Sequence, residues 1–167
     1  MGNGHPLGAA ISSRAVADAF AAQGSFFSSA GGSPVSCVAG LTVLDVIEEE
    51  HLCQRAEAIG AHMTSTLRAV QKSLPAIGEV RALGAMVAME LVRNGDAHQP
   101  DPDLTKALVK RAGEKGLVLL SCGLYGNVIR FLAPLTASDA IVQEGLGIVS
   151  EALRELTSAT ERKAVNS

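Results

Sequence analysis

The sequence predicts an α/β fold in which a small, largely antiparallel sheet carries helices on one face. Three observations lead there. From residue 35 the hydrophobic periods read helix, helix, strand, strand, helix, strand, strand, helix. The strands come in two close pairs, 77–83 with 85–92 and 117–123 with 127–134, each pair joined by a short glycine-bearing turn. The 167 residues are 47% hydrophobic and 19% charged, a globular balance long enough to bury a core.

Each element follows from its residues. "LGAAIS" (7–12) is small and apolar and reads as a buried strand. Ser13 caps a short helix, "RAVADAF", with Val16 and Phe20 on one face. "QGSFFSSAGGSP" (23–34) is a Gly/Ser loop. Ser33 followed by Pro34 is an N-cap with proline at the first helical position. Val35, Val38, Ala39, Thr42, Val43, Val46 and Ile47 then recur at helical spacing. Glu48, Glu49 and Glu50 sit at that helix's C-terminal end, where the dipole disfavours them, and read as a solvated bend.

A second helix spans 51–73 on a stripe of Leu52, Ala56, Ile59, Met63, Leu67, Val70 and Leu74, and Pro75 stops it. "IGEVRAL" (77–83) and "AMVAMELV" (85–92) are strands about a turn at Gly84. "RNGDAHQPDPD" (93–103) is a polar loop, and Asp101-Pro102 opens a third helix that Gly116 ends. "LVLLSCG" (117–123) reads as a buried strand, "LYG" as a turn and "NVIRFLAP" (127–134) as the last strand. Thr136 with Asp139 forms a Thr-x-x-Asp variant of the capping box ahead of a helix over 137–156, and 157–167 read as a flexible tail. Residues 35–156 therefore form a small α/β domain, while 1–34 do not close on themselves and read as the trailing edge of another domain.

Charge and composition exclude several classes. The net charge of −3 and an aromatic content of 3% argue against nucleic-acid binding, which needs basic patches and stacking platforms. Cys37, Cys53 and Cys122 are odd in number and widely spaced, so they indicate neither a disulfide frame nor a zinc site and point to a reducing cytoplasm. His5, His51, His62 and His98 show no metal-ligand spacing. There is no signal-peptide pattern and no apolar run of about 18 residues. A mean hydropathy of +0.25 is high for a small monomer and implies a surface that something else covers.

Four stretches occur in order: "MGNGHPLGAAISSRAVADAF", "FFSSAGGSPVSCVAGLTVLDVIEEE", "IGEVRALGAMVAMELV" and "GLYGNVIRFLAPLT". Together, over about 1–155, they resemble the C-terminal part of class III (omega-type) aminotransferases that depend on pyridoxal phosphate. The first third is most similar to the alanine–glyoxylate type 2 and phospho-lyase branch, the last third to 4-aminobutyrate aminotransferases. The resemblance implies the small C-terminal domain of the type I fold of pyridoxal-phosphate transferases, with 1–34 as a remnant of the large cofactor-binding domain. It also implies pyridoxal 5'-phosphate as cofactor, amino-acid, omega-amine and keto-acid substrates, and a homo-oligomer or a partner subunit. The branch pattern reads Lys-Pro-Met-Gly-Asn-Gly-His-Pro, and this chain starts at the methionine, Met1. The Schiff-base lysine would lie two residues upstream, so the chain alone is expected to be inactive.

The site expectations fall at five places. The loop Gly2, Asn3, Gly4, His5 is either a tight turn beside that lysine or a flexible terminus; its spacing is not that of a nucleotide-binding loop. Ser29 stands where the family usually has threonine, and with Gly31 and Gly32 it matches the family's contact to the cofactor phosphate of the neighbouring subunit. Ala30 and Ser33 depart from the family's aromatic residue and asparagine. Arg130 is a guanidinium on an otherwise apolar strand, needing an anion to offset desolvation, and it matches the arginine that grips the substrate carboxylate. Arg81 reads as structural, and Tyr125, Gly126 and Asn127 as shaping the turn before the last strand.

Two functions from different classes follow. One is a C-terminal portion of an aminotransferase moving an amino group from an amino acid or omega-amine to a keto acid. The other is a non-catalytic dimerising or regulatory module that pairs with an intact aminotransferase. Without the resemblance, composition alone also admits an unrelated α/β ligand-binding domain.

Overall fold

The computed structural model describes residues 1–24 and 26–165, with side chains through Ala159. Ser25, within the Gly/Ser loop, and residues 166–167 lie outside the described residues. The chain divides into two units, Met1–Leu52 and Cys53–Ser167.

The first unit holds helices α1 (Arg14–Ala21) and α2 (Pro34–Glu49). Ser13 and Ser33 occupy the N-cap positions expected of them, though neither side chain makes a capping hydrogen bond. α2 falls in the same unit as the N-terminal segment. Two contacts tie them: His5 Nε2 lies 2.9 Å from Ser36 Oγ, and the Leu7 side chain packs where a Cβ on Gly40 would sit. Residues 7–12 are not a buried strand; they are irregular, and Ile11 is 94% exposed. A strand needs a ladder partner, and the described residues of this unit offer none.

The second unit is the α/β layer. Helix α3 (Leu52–Gln71) is followed by strands β1 (Ile77–Leu83) and β2 (Met86–Leu91), then α4 (Pro102–Glu114), β3 (Leu120–Cys122), β4 (Val128–Leu132) and α5 (Asp139–Val165). The four strands form an antiparallel sheet in the order β1-β2-β4-β3. Gly84, at φ 52, makes the turn between β1 and β2. The Asp101 carboxylate accepts from the Leu104 N–H at 3.0 Å and caps α4, with Pro102 at the first helical position.

One face of the sheet is buried. Val80, Met89 and Ile129 form one register row and Val87 pairs with Phe131 in the next; all pack against Ile59, Met63 and Leu67 of α3, Leu108 of α4, and Leu146 and Leu153 of α5. The helices thus cover one side, as the pattern of elements required.

Three local expectations are corrected. The run 117–123 is not a buried strand: only 120–122 pair, at an outer edge, and Leu120 is 68% exposed. An apolar run carries no information on whether its strand is central or marginal. Ser138, not Thr136, caps α5, its hydroxyl accepting from the Ile141 N–H at 3.3 Å. α5 also runs on to Val165, past the end expected at 156.

Candidate functional site

The uncovered face of the sheet is built by register. Alternation along a strand sends every second side chain to this side. Arg81 pairs with Ala88, and Ala88 pairs with Arg130, so the two arginines lie in one cross-sheet row. The next row in one direction holds Glu79 and Glu90, and in the other Leu83, Met86 and Leu132. Leu83, Met86 and Leu132 are exposed, so the charged residues sit beside bare apolar surface.

Arg130 is exposed on this face, and among the described residues nothing forms a hydrogen bond or an ion pair with it. The expected need for an anion to offset desolvation is therefore corrected: the guanidinium is in water, not in an apolar wall. Arg130 and Phe131 also help line a crevice of about 240 Å³ beside residues 117–119, which lead into β3, with Leu117, Val118, Leu132 and Ile141 as apolar walls.

Arg81 is placed differently. Its Nη1 donates to Glu79 Oε2 at 2.6 Å and to Glu90 Oε2 at 2.9 Å. The structural reading of Arg81 holds. Asn127 does more than shape a turn. It is 2% exposed, and its Nδ2 donates to Glu90 Oε1 at 3.2 Å and to the Leu91 carbonyl at 3.0 Å. Sequence reasoning passed over Glu90 and this role of Asn127. The available signal was register: a tight turn at Gly84 already pairs Arg81 with Ala88 and places Glu90 on the same face.

In the first unit, Ser29, Gly31 and Gly32 share one turn ahead of α2. The Gly31 N–H donates to the Ser28 carbonyl at 3.1 Å, the Ser33 N–H to that of Ala30 at 3.4 Å, and Gly32 has φ 70. Ser29 is exposed, and among the described residues its hydroxyl makes no hydrogen bond. Gly2–His5 is a closed turn, the His5 N–H donating to the Gly2 carbonyl at 3.0 Å with Asn3 at φ 45 and Gly4 at φ 101.

These residues fit one end of the implied cofactor. A free hydroxyl on a glycine turn at a helix N-terminus suits a phosphate. The carbonyl end needs an amine that loses its proton readily. Lys115 is not such an amine: its ammonium lies 2.9 Å from Glu151 and 3.0 Å from Glu155, which hold its pKa above the ordinary value. Lys163, on the last turns of α5, has a side chain outside the described residues. Among the described residues no group of three or more His, Cys, Asp or Glu could hold a metal ion, and no helix is long and apolar enough to cross a membrane.

Comparison with known proteins places these features in context. The family model for class III aminotransferases matches residues 1–153. A 5-aminovalerate aminotransferase of Pseudomonas aeruginosa is 46% identical over 156 residues, covering 93% of this chain and 36% of that protein. A 4-aminobutyrate aminotransferase of Escherichia coli is 44% identical over 155 residues, again 93% of this chain and 36% of the relative. Among solved structures, a phospholyase from Arthrobacter in complex with phosphoethanolamine superposes with a TM-score of 0.85 at 30% identity, over 92% of this chain and 36% of that one. The chain spans about a third of the length of the relatives it matches.

Proposed function

The chain belongs to the class III aminotransferase family, and on that premise we propose that it is the C-terminal portion of an enzyme that moves an amino group from an amino acid or omega-amine to a keto acid. The observation that carries this is Arg130, exposed and free of partners among the described residues while the arginine in its own row is taken up by two carboxylates.

Arg130 binds the substrate carboxylate through its planar fork, and the apolar crevice beside it takes the methylene chain. The turn at Ser29, Gly31 and Gly32 contributes a hydroxyl and close backbone approach to the cofactor phosphate, held jointly with a neighbouring subunit. Bound pyridoxal phosphate supplies the carbonyl chemistry and the electron sink of amino-group transfer. The 167 residues by themselves are expected to catalyse no transamination, because none of them matches the family's Schiff-base lysine. We place residues 1–34 as the edge of a large cofactor-binding domain, 35–156 as the small domain and 157–167 as its tail, in a cytoplasmic homo-oligomer.

The carboxylate role is read directly by NMR of arginine side-chain N–H signals in the chain. Titration with 5-aminovalerate is expected to move the Arg130 signal and leave that of exposed Arg14 in place. Pentylamine, lacking the carboxylate, leaves both unmoved. An Arg130 signal indifferent to the carboxylate would remove the reading.

A second reading has its own observation. Phe26, Phe27, Val35 and Val38 of the first unit are 78%, 85%, 70% and 62% exposed. Bare aromatic and aliphatic surface of this kind marks an interaction face. On this reading the chain is a non-catalytic dimerising or regulatory module paired with an intact aminotransferase. Co-purification of such a subunit supports it, and a monodisperse monomer counts against it.

A further inference from the structure

We propose that Arg81 and Asn127 are positioning residues that hold the Glu90 carboxylate away from Arg130 and so keep Arg130 open to an external carboxylate. The inference rests on the reading of Arg130 as the carboxylate anchor.

Register sets up the competition. Ala88 lies directly between Arg81 and Arg130. Glu90 is two residues along β2 from Ala88, on the same face, which makes it a diagonal neighbour of both arginines. Diagonal partners stand about 7–8 Å apart, within reach of long side chains. Glu90 can therefore pair with either arginine, and a Glu90–Arg130 pair would occupy the group that a substrate carboxylate needs.

The structure shows which pairing wins and what decides it. Oε2 of Glu90 accepts from Arg81 Nη1 at 2.9 Å, and Oε1 accepts from Asn127 Nδ2 at 3.2 Å. Both oxygens are engaged. Arg81 is itself steadied by Glu79 on its own strand at 2.6 Å. Asn127 is buried, and its amide is fixed by the Leu91 carbonyl at 3.0 Å. Asn127 stands on the β4 side of Glu90, so it takes the oxygen that would otherwise turn toward Arg130.

The test is chemical modification of the full chain by phenylglyoxal, with Arg130 followed by peptide mass mapping and Arg14 as internal reference. In Arg81→Gln, Glu90 loses its stronger partner and turns to Arg130, and the Arg130 modification rate is expected to fall roughly threefold, the size of effect an exposed ion pair produces. Arg81→Lys retains a cation for Glu90 and keeps the wild-type rate. The double variant Arg81→Gln/Glu90→Gln restores it. An unchanged rate in Arg81→Gln overturns the inference, as does a slow rate that persists in the double variant. Protection of wild-type Arg130 by 5-aminovalerate is measured in the same samples and tests the anchor alone, so either can fail without the other. Arg81 is a surface residue, and circular dichroism of each variant confirms the fold.

Discussion

Arg81 and Arg130 stand in one row of the sheet with only Ala88 between them, yet Arg81 holds two carboxylates and Arg130 holds none among the described residues. Two like charges on one bare face are thus divided into a structural residue and an available one. Stability should show the division. Arg130→Gln removes no hydrogen bond or ion pair to a described residue and is expected to leave stability within the scatter of ordinary surface substitutions, about ±0.5 kcal/mol. Arg81→Gln breaks two largely solvent-exposed pairs and should cost about 0.2–1 kcal/mol for each. Thermal melts of the two variants at neutral pH make the comparison, and equal losses would contradict it.

Asn127 presents a larger stake because it is buried. Asn127→Ala removes two donated hydrogen bonds and leaves the Leu91 carbonyl with the Asp101 N–H, at 3.1 Å, as its remaining partner. A broken buried hydrogen bond with an acceptor left short costs about 1–3 kcal/mol. Urea unfolding should show a lowered midpoint with an unchanged slope, since neither end state changes its exposed area.

Gly60 of α3 lies close against the backbone of the β1–β2 turn at Gly84. A methyl group on Gly60 would run into the Gly84 carbonyl, and backbone cannot swing aside as a side chain can. Gly60→Ala is therefore expected to destabilise by about 1–3 kcal/mol despite alanine's better helix propensity. Gly84→Ala meets Ala56 alone, its methyl at 3.6 Å and its carbonyl at 3.9 and 4.0 Å, all ordinary contacts, but it must adopt φ 52. Its cost comes from backbone strain alone, about 1 kcal/mol. Calorimetric melts should rank Gly60→Ala below Gly84→Ala.

How legible these features were depended on the range of the interaction. The stripe of the second helix, the strand pair about Gly84 and the Asp101 cap were readable because each is decided within a few residues. The short β3 was not, since 117–123 is equally apolar whether its strand is central or marginal, and the outer edge of the sheet is set by what lies beside it. Residues 7–12 misled for the same reason: small apolar residues fit a strand, but only a ladder partner makes one. Arg130 was visible as a lone charge on an apolar strand. Its freedom was not, because that depends on Glu90 and Asn127, which are 37 residues apart in the chain.

The junction of α4 and α5 gives the molecule an acid-sensitive contact. Arg111 Nε donates to Glu155 at 2.7 Å, and Lys115 Nζ lies 3.0 Å from the other Glu155 oxygen and 2.9 Å from Glu151. The Arg111 hydrogen bond first, and that of Lys115 second, hold the Glu155 carboxyl below its ordinary 4.5. A carboxyl depressed in the folded state contributes stability that is complete above the unfolded value and is lost as pH falls through the folded one. Lys115 runs the other way. Glu151 and then Glu155 raise it above its ordinary 10.5, so its share is complete below that value and fades only as pH climbs through the raised one. At neutral pH Glu155 and Lys115 are both charged. The melting temperature should thus fall as pH drops below 4.5. Glu155→Gln should flatten that acid limb while lowering the plateau at neutral pH only slightly, as befits solvent-exposed pairs. Melts of both proteins across the acid range decide the point. An acid limb of equal steepness in the two would show that other carboxyls, with Glu90 foremost because Arg81 lowers it too, set the acid stability.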